Sequence, residues 1–267
     1  MLPDRIFFTG VPGSGWSVIS QIIEAIPGMN TSDRHTSRQF VAKMAQDNKA
    51  LFLASEMQVE AYFKSEPTQA SLVEHFIGRM VNERMNMVEI SAKVATATAP
   101  ASMPAAELAM LSRQAMDEAN HFRMVQEVIE HITGEKLDVE AAIAAEAAKP
   151  TAKGAALLEK YDAATDPLAL AAYQFIAEGR AEAVWNKMAE CIQDEFISTS
   201  YAKIARDEGF HATIGQRALE LLATDEATQA RIEQIARTMR MDLFAVSCMN
   251  TVALPEAQKL MDDAYSA

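Results

Sequence analysis

Asp117-Glu118-Ala119-Asn120-His121 and Asp207-Glu208-Gly209-Phe210-His211 repeat one pattern, Asp-Glu-x-x-His, inside two long helical stretches. On a helix, residues three apart lie on one face, so each tetrad presents a carboxylate and an imidazole together. Such a pair is half of a dimetal site. Two halves, with one inward carboxylate from each of two neighbouring helices, make a whole one. A single Glu-x-x-His arises readily by accident in a chain with 5 His and many Glu. Two copies on separate helices, both preceded by Asp, are much harder to ascribe to chance. The other histidines, His35, His75 and His131, form no comparable motif.

Outward from the tetrads the chain reads as helix almost throughout. A first helix is expected from about Ser37 to Lys64, and a second, opened by Pro67, to about Ala97. Ser102 and Pro104 mark the start of a third, which carries the first tetrad and ends at Gly134. The Ala-rich stretch 138–165, broken by Pro150, reads as a connection with one or two short helices. Asp166-Pro167 opens a helix to about Ile192, and the next, from about Phe196 to Leu222, carries the second tetrad. Thr224-Asp225-Glu226 opens a last long helix that should fade before Pro255. Residues 39–267 thus form one helical domain, with two long helices, a connection of about thirty residues, and two more.

The missing carboxylates must come from the helix before each tetrad, because antiparallel neighbours place residues equidistant from the turn at one height. For the first pair Glu83 is preferred. It shares its face with Phe76, Met80, Met87, Ile90 and Val94, where a lone carboxylate is costly unless paired or metal-bound. Glu89 is the alternative, on a face with Asn82, Asn86, Lys93 and Thr96. For the second pair Glu178 is preferred, on a face with Ala171, Phe175, Ala181 and Trp185, and Glu182 is a supporting or alternative ligand one turn on. The ligand set is then Glu83, Glu118, His121, Glu178, Glu208 and His211. Four carboxylates and two neutral imidazoles balance two divalent cations, and their oxygen and nitrogen donors suit iron or manganese. A metal-bound His normally gives its other N–H to a carboxylate. A crossed arrangement is expected, with Asp117 supporting His211 and Asp207 supporting His121.

The order Glu83, Glu118-x-x-His121, Glu178, Glu208-x-x-His211 resembles the ferritin-like diiron-carboxylate superfamily over roughly residues 68–222. The resemblance implies an all-α ferritin-like four-helix bundle with flanking helices. It also implies two iron ions, or iron with manganese, that react with dioxygen. The duplicated tetrad leans toward the oxidase and oxygenase branch. Arg206–Gly215 is similar to the last metal helix of aldehyde-deformylating oxygenases, and Asp117–Val125 to a metal helix of diiron tRNA hydroxylases. The function implied is oxidation of a small, apolar organic molecule, with an electron donor as partner. Ferroxidase or iron-binding activity without an organic substrate is the alternative, and a non-enzymatic helical interaction protein is the second.

Residues 1–38 read differently, as a strand-loop-helix appendage. Arg5–Thr9 looks like a buried strand, Gly10–Ser17 like a glycine-rich loop, and Ser17–Ile26 like a helix. Gly13, Gly15 and Ser17 are candidate anion contacts, since strand, loop and helix come in the order of a phosphate-binding loop. The loop also resembles the phosphosulfate-binding loop of sulfotransferases, but Trp16 stands where a P-loop carries Lys.

Composition narrows the rest. A net charge of −13 argues against nucleic acid as partner. The 2 Cys, Cys191 and Cys248, make no CxxC pair, so neither a disulfide framework nor a closed zinc site is expected and a cytoplasmic setting is the default. No run of eighteen apolar residues predicts a membrane span. A homodimer is one option for assembly. Of the 16 Met, Met80, Met85, Met87, Met110 and Met116 are expected as core filler. Tyr173 and Tyr201 are expected as buried tyrosines with hydrogen-bonded hydroxyls, with an approach to the metals as the alternative.

Overall fold

Capping chemistry sets several of the helix boundaries in the computed structural model, which describes residues 31–96, 103–149, 160–161, 166–245 and 254–265. Asp138, Asp166, Asp194 and Asp225 each accept a hydrogen bond from a backbone N–H of the helix they open. Gly134 closes the longest helix in the left-handed conformation, at φ 73°, and its N–H bonds to the Glu130 carbonyl. The helices are α1 (Thr31–Asp47), α2 (Lys49–Lys64), α3 (Gln69–Thr96), α4 (Ala105–Thr133) and α5 (Val139–Ala147). They continue with α6 (Pro167–Tyr173), a π-helical turn (Gln174–Glu178), α7 (Gly179–Cys191), α8 (Glu195–Leu222), α9 (Glu226–Ala245) and α10 (Pro255–Tyr265). No strand occurs among the described residues. The expected strand, glycine-rich loop and first short helix, with Gly13, Gly15 and Ser17, lie outside them, as do Pro150 and Cys248.

Four long stretches surround the tetrads. α3 and α4 pack along their lengths as one pair. The continuous stretch α6–π–α7 pairs with α8, and α8 joins the two pairs by packing on α4. The remaining helices wrap this centre: α2 lies on α7, α10 on α2, α1 on α8, and α9 on α6. In the connection, α5 packs on α3. Among the described residues no helix is long and apolar enough to cross a membrane.

Three details depart from the reading of the sequence. The first expected helix begins at Thr31 and is interrupted at Asn48, which is buried and accepts a hydrogen bond from Arg240 Nε at 2.8 Å. Pro255, expected to lie beyond the last helix, opens one more, as suits a ring with no N–H to satisfy. Met116, expected in the core, is 59% exposed, whereas Met80 is fully buried.

Candidate metal centre

Glu83, Glu118, His121, Glu178, Glu208 and His211 are all buried and converge from α3, α4, the π-turn and α8. They form two overlapping groups, Glu83–Glu118–His121–Glu208 and Glu118–Glu178–Glu208–His211. Within each group, one ligand-type atom per residue lies within 4.8 Å of the others. Glu118 and Glu208 belong to both. The two groups could therefore hold cations side by side. Each has its own carboxylate and imidazole (Glu83 and His121; Glu178 and His211), and the two share a pair of central carboxylates. His121 and His211 face one another with ring centroids 5.8 Å apart.

The imidazoles are oriented from outside the cluster. His121 Nε2 lies 3.3 Å from Asp207 Oδ2, and His211 Nε2 lies 3.4 Å from Asp117 Oδ2. A carboxylate accepts there, so each Nε2 carries a proton, and each Nδ1 turns inward toward the clustered carboxylates. His211 Nδ1 sits 2.9 Å from Glu208 and 3.4 Å from Glu118. His121 Nδ1 sits 3.7–3.8 Å from Glu83, Glu118 and Glu208. The supporting carboxylates are themselves held by a cation one turn earlier, Arg113 at 3.3 Å from Asp117 and Lys203 at 2.8 Å from Asp207. Arg113 and Lys203 escaped the reading of the sequence, although a basic residue four positions before each Asp was there to see.

Further supports were also missed. Arg79 donates to Glu83 Oε1 at 3.3 Å while its guanidinium lies 4.1 Å from the centre of the Trp185 ring. Gln114 Nε2 donates to Glu178 Oε1 at 3.1 Å. Glu89, the alternative ligand, is exposed and takes no part in either group. Six residues on, its position on α3 is turned about 120° around the helix from that of Glu83. Glu182 is half-buried and also outside both groups, with its carboxylate over the Cα of Gly209, where a Cβ would meet it at 2.8 Å. Tyr201 is buried between Phe76 and Trp185, ring centroids 5.5 and 5.6 Å away. For Tyr173, burial and then the charge of Glu178 push the phenol well above its ordinary value.

The electrostatics of the cluster are those of carboxylates and imidazoles crowded together out of water. Burial and the charge of Glu208 push Glu118 up to about 8, and burial with the charges of Glu208 and Glu118 pushes Glu178 well up. Burial alone would also raise Glu83, but contact with His121 and the Arg79 guanidinium brings it down to about 2. Burial disfavours imidazolium at both histidines. Asp117 and Glu208 nevertheless raise His211 to about 10, and Asp207, Glu118 and Glu83 hold His121 well above the usual range. Glu83 Oε2, both Glu118 carboxylate oxygens and His121 Nδ1 are buried without any hydrogen-bond partner. Leaving such buried polar atoms bare costs about 1–3 kcal/mol each, and more when charged. A cation at each position would satisfy them all, so the residues fit two bound metal ions.

The π-turn and Gly215 let the helices come this close. The wide turn lies at Gln174–Glu178, where α8 packs on the stretch that carries Glu178. A Cβ on Gly215 would fall 2.3 Å from the Phe175 backbone nitrogen and 2.7 Å from the Ala171 carbonyl oxygen. Only glycine permits this approach, one turn beyond His211. Comparison of the chain with family models, with curated proteins and with solved structures finds no match.

Proposed function

We propose that this protein is a ferritin-like dimetal oxidoreductase whose two iron ions, or iron and manganese, activate dioxygen to oxidise a small organic substrate. The observation that carries this reading is the pair of overlapping ligand groups sharing Glu118 and Glu208. One structural ion needs one group, whereas a shared pair of carboxylates holds two ions as neighbours. Oxygen and nitrogen donors without thiolate suit iron and manganese.

Glu83 and His121 would hold one ion, Glu178 and His211 the other, and Glu118 and Glu208 both. Ions held there would supply the electrons that reduce dioxygen, which these side chains cannot. Asp117 and Asp207 keep each imidazole in one tautomer. The buried setting excludes bulk water, so the carboxylates act in a low-dielectric site where their charge counts most. An organic substrate is favoured by apolar side chains within three turns of these residues. Leu111 and Ile214 pack there with half-buried Ile90, Leu108, Met110 and Phe210.

Anaerobic reconstitution with Fe(II) or Mn(II), followed by elemental analysis, tests the reading. Two ions per chain and reductant-dependent dioxygen uptake are expected. Glu118→Ala removes a ligand common to both positions, so it should lose both ions while circular dichroism stays helical. A wild-type protein that retains no metal after reconstitution would end the proposal.

A further inference from the structure

We infer that Gln114 and Gln174 form a buried amide relay that positions Glu178 and makes its metal position unlike the one at Glu83. The inference rests on the dimetal reading and deepens it. Gln174 Nε2 donates to Gln114 Oε1 at 3.1 Å, and Gln114 Nε2 donates to Glu178 Oε1 at 3.1 Å. Gln114 is fully buried and Gln174 is 6% exposed. An amide has two ends with opposite roles. With its oxygen occupied by Gln174, Gln114 cannot flip without leaving buried groups unpaired, so its N–H stays aimed at Glu178. One Glu178 oxygen, Oε1, is thereby engaged, and the other takes no part in the relay.

The near-repeat of the site shows that this device belongs to one half only. Residues four before each ligand lie one turn away on the same face. Gln114 precedes Glu118 by four, and the matching residue before Glu208 is Ile204, which is buried and apolar. Gln174 precedes Glu178 by four, and the matching residue before Glu83 is Arg79, which bonds Glu83 directly. One outer carboxylate thus receives a charged donor from its own helix. The other receives a neutral donor from across the bundle, steadied by a second amide on the π-turn. A neutral donor leaves more negative charge on the Glu178 oxygens for a cation than a guanidinium leaves on Glu83. The two ions are therefore held by electrostatically different carboxylates, with Gln114 and Gln174 as positioning residues.

Gln114→Leu, which copies Ile204, and Gln174→Leu test this in the full-length protein. The readouts are anaerobic Fe(II) titration by calorimetry and Mössbauer spectra of the loaded protein. The wild type should show two binding steps and two distinct iron environments. Gln114→Leu should weaken one step by about 10-fold or more and shift one iron environment while leaving the other in place. Gln174→Leu should weaken the same step less, and the double variant should match Gln114→Leu alone, because Gln174 acts only through Gln114. Should Gln114→Leu fail to fold, Gln174→Leu alone must still shift the same single environment. Two-step binding and spectra unchanged in a folded variant overturn the relay and leave the dimetal reading standing. A wild type that binds no iron overturns both.

Discussion

Glu118 is the residue on which the two ligand groups depend most plainly, and it is also a burden on the metal-free fold. Fully buried, with both oxygens unpaired and Glu208 close by, its carboxyl is pushed up to about 8. Glu118→Gln keeps the shape and removes that charge. In metal-free protein at pH 9 it should raise stability by about 1 kcal/mol, roughly 2–4 °C in Tm, while lowering bound metal to near zero. A fall in Tm would mean that the carboxylate is structurally satisfied without a cation. Glu83→Ala should instead leave one position intact and give a stoichiometry between those of the wild type and Glu118→Ala. At this scale the tetrads and their Asp neighbours were legible because a helix turns sequence spacing into a shared face. Gln114 and Arg79 were not, since nothing in a sequence marks which polar side chain will meet a carboxylate across a bundle.

At the scale of helices, the approach of α8 to the π-turn decides where Glu178 sits relative to Glu208. Gly215→Ala forces a methyl group against backbone at 2.3 Å, which neither helix can yield without moving. A loss of about 2–3 kcal/mol is expected by chemical denaturation, together with weaker metal binding. Gly209→Ala is the control. Its new methyl meets the flexible end of Glu182, so stability should be nearly unchanged, helped by the better helix propensity of Ala. Equal losses in the two variants would show that helix approach is not what Gly215 provides. Helix starts were legible wherever an Asp cap or a Pro stood before an apolar run. The break at Asn48 was not, because its partner Arg240 lies 192 residues away in sequence.

For the whole molecule, the cluster ties stability to pH. His211 is held at about 10 and Glu118 at about 8, both above their values in an unfolded chain. A group raised on folding contributes stability that is present below its unfolded value and lost as pH rises through its folded value. Glu83, held down at about 2, contributes the opposite way and loses its share only on acidification. Metal-free protein should therefore lose stability progressively between about pH 5 and pH 10. Metal-loaded protein should hold its Tm from about pH 7 to pH 10, because bound cations replace protons on both imidazoles. Loading should release protons, seen as a calorimetric heat that depends on the buffer. A metal-free Tm that is flat from pH 7 to 10 would contradict the raised values. The helical class, the tetrads, the preferred carboxylates Glu83 and Glu178 and the crossed Asp–His partners were readable from the sequence by itself, because local periodicity and antiparallel register fix faces and heights. Only the tertiary structure decided that Glu118 and Glu208 are common to both ligand groups, that Glu89 points away, and that one outer carboxylate meets a cation while the other meets an amide. Those features arise where side chains from separate helices meet, at distances that no spacing along a single chain encodes.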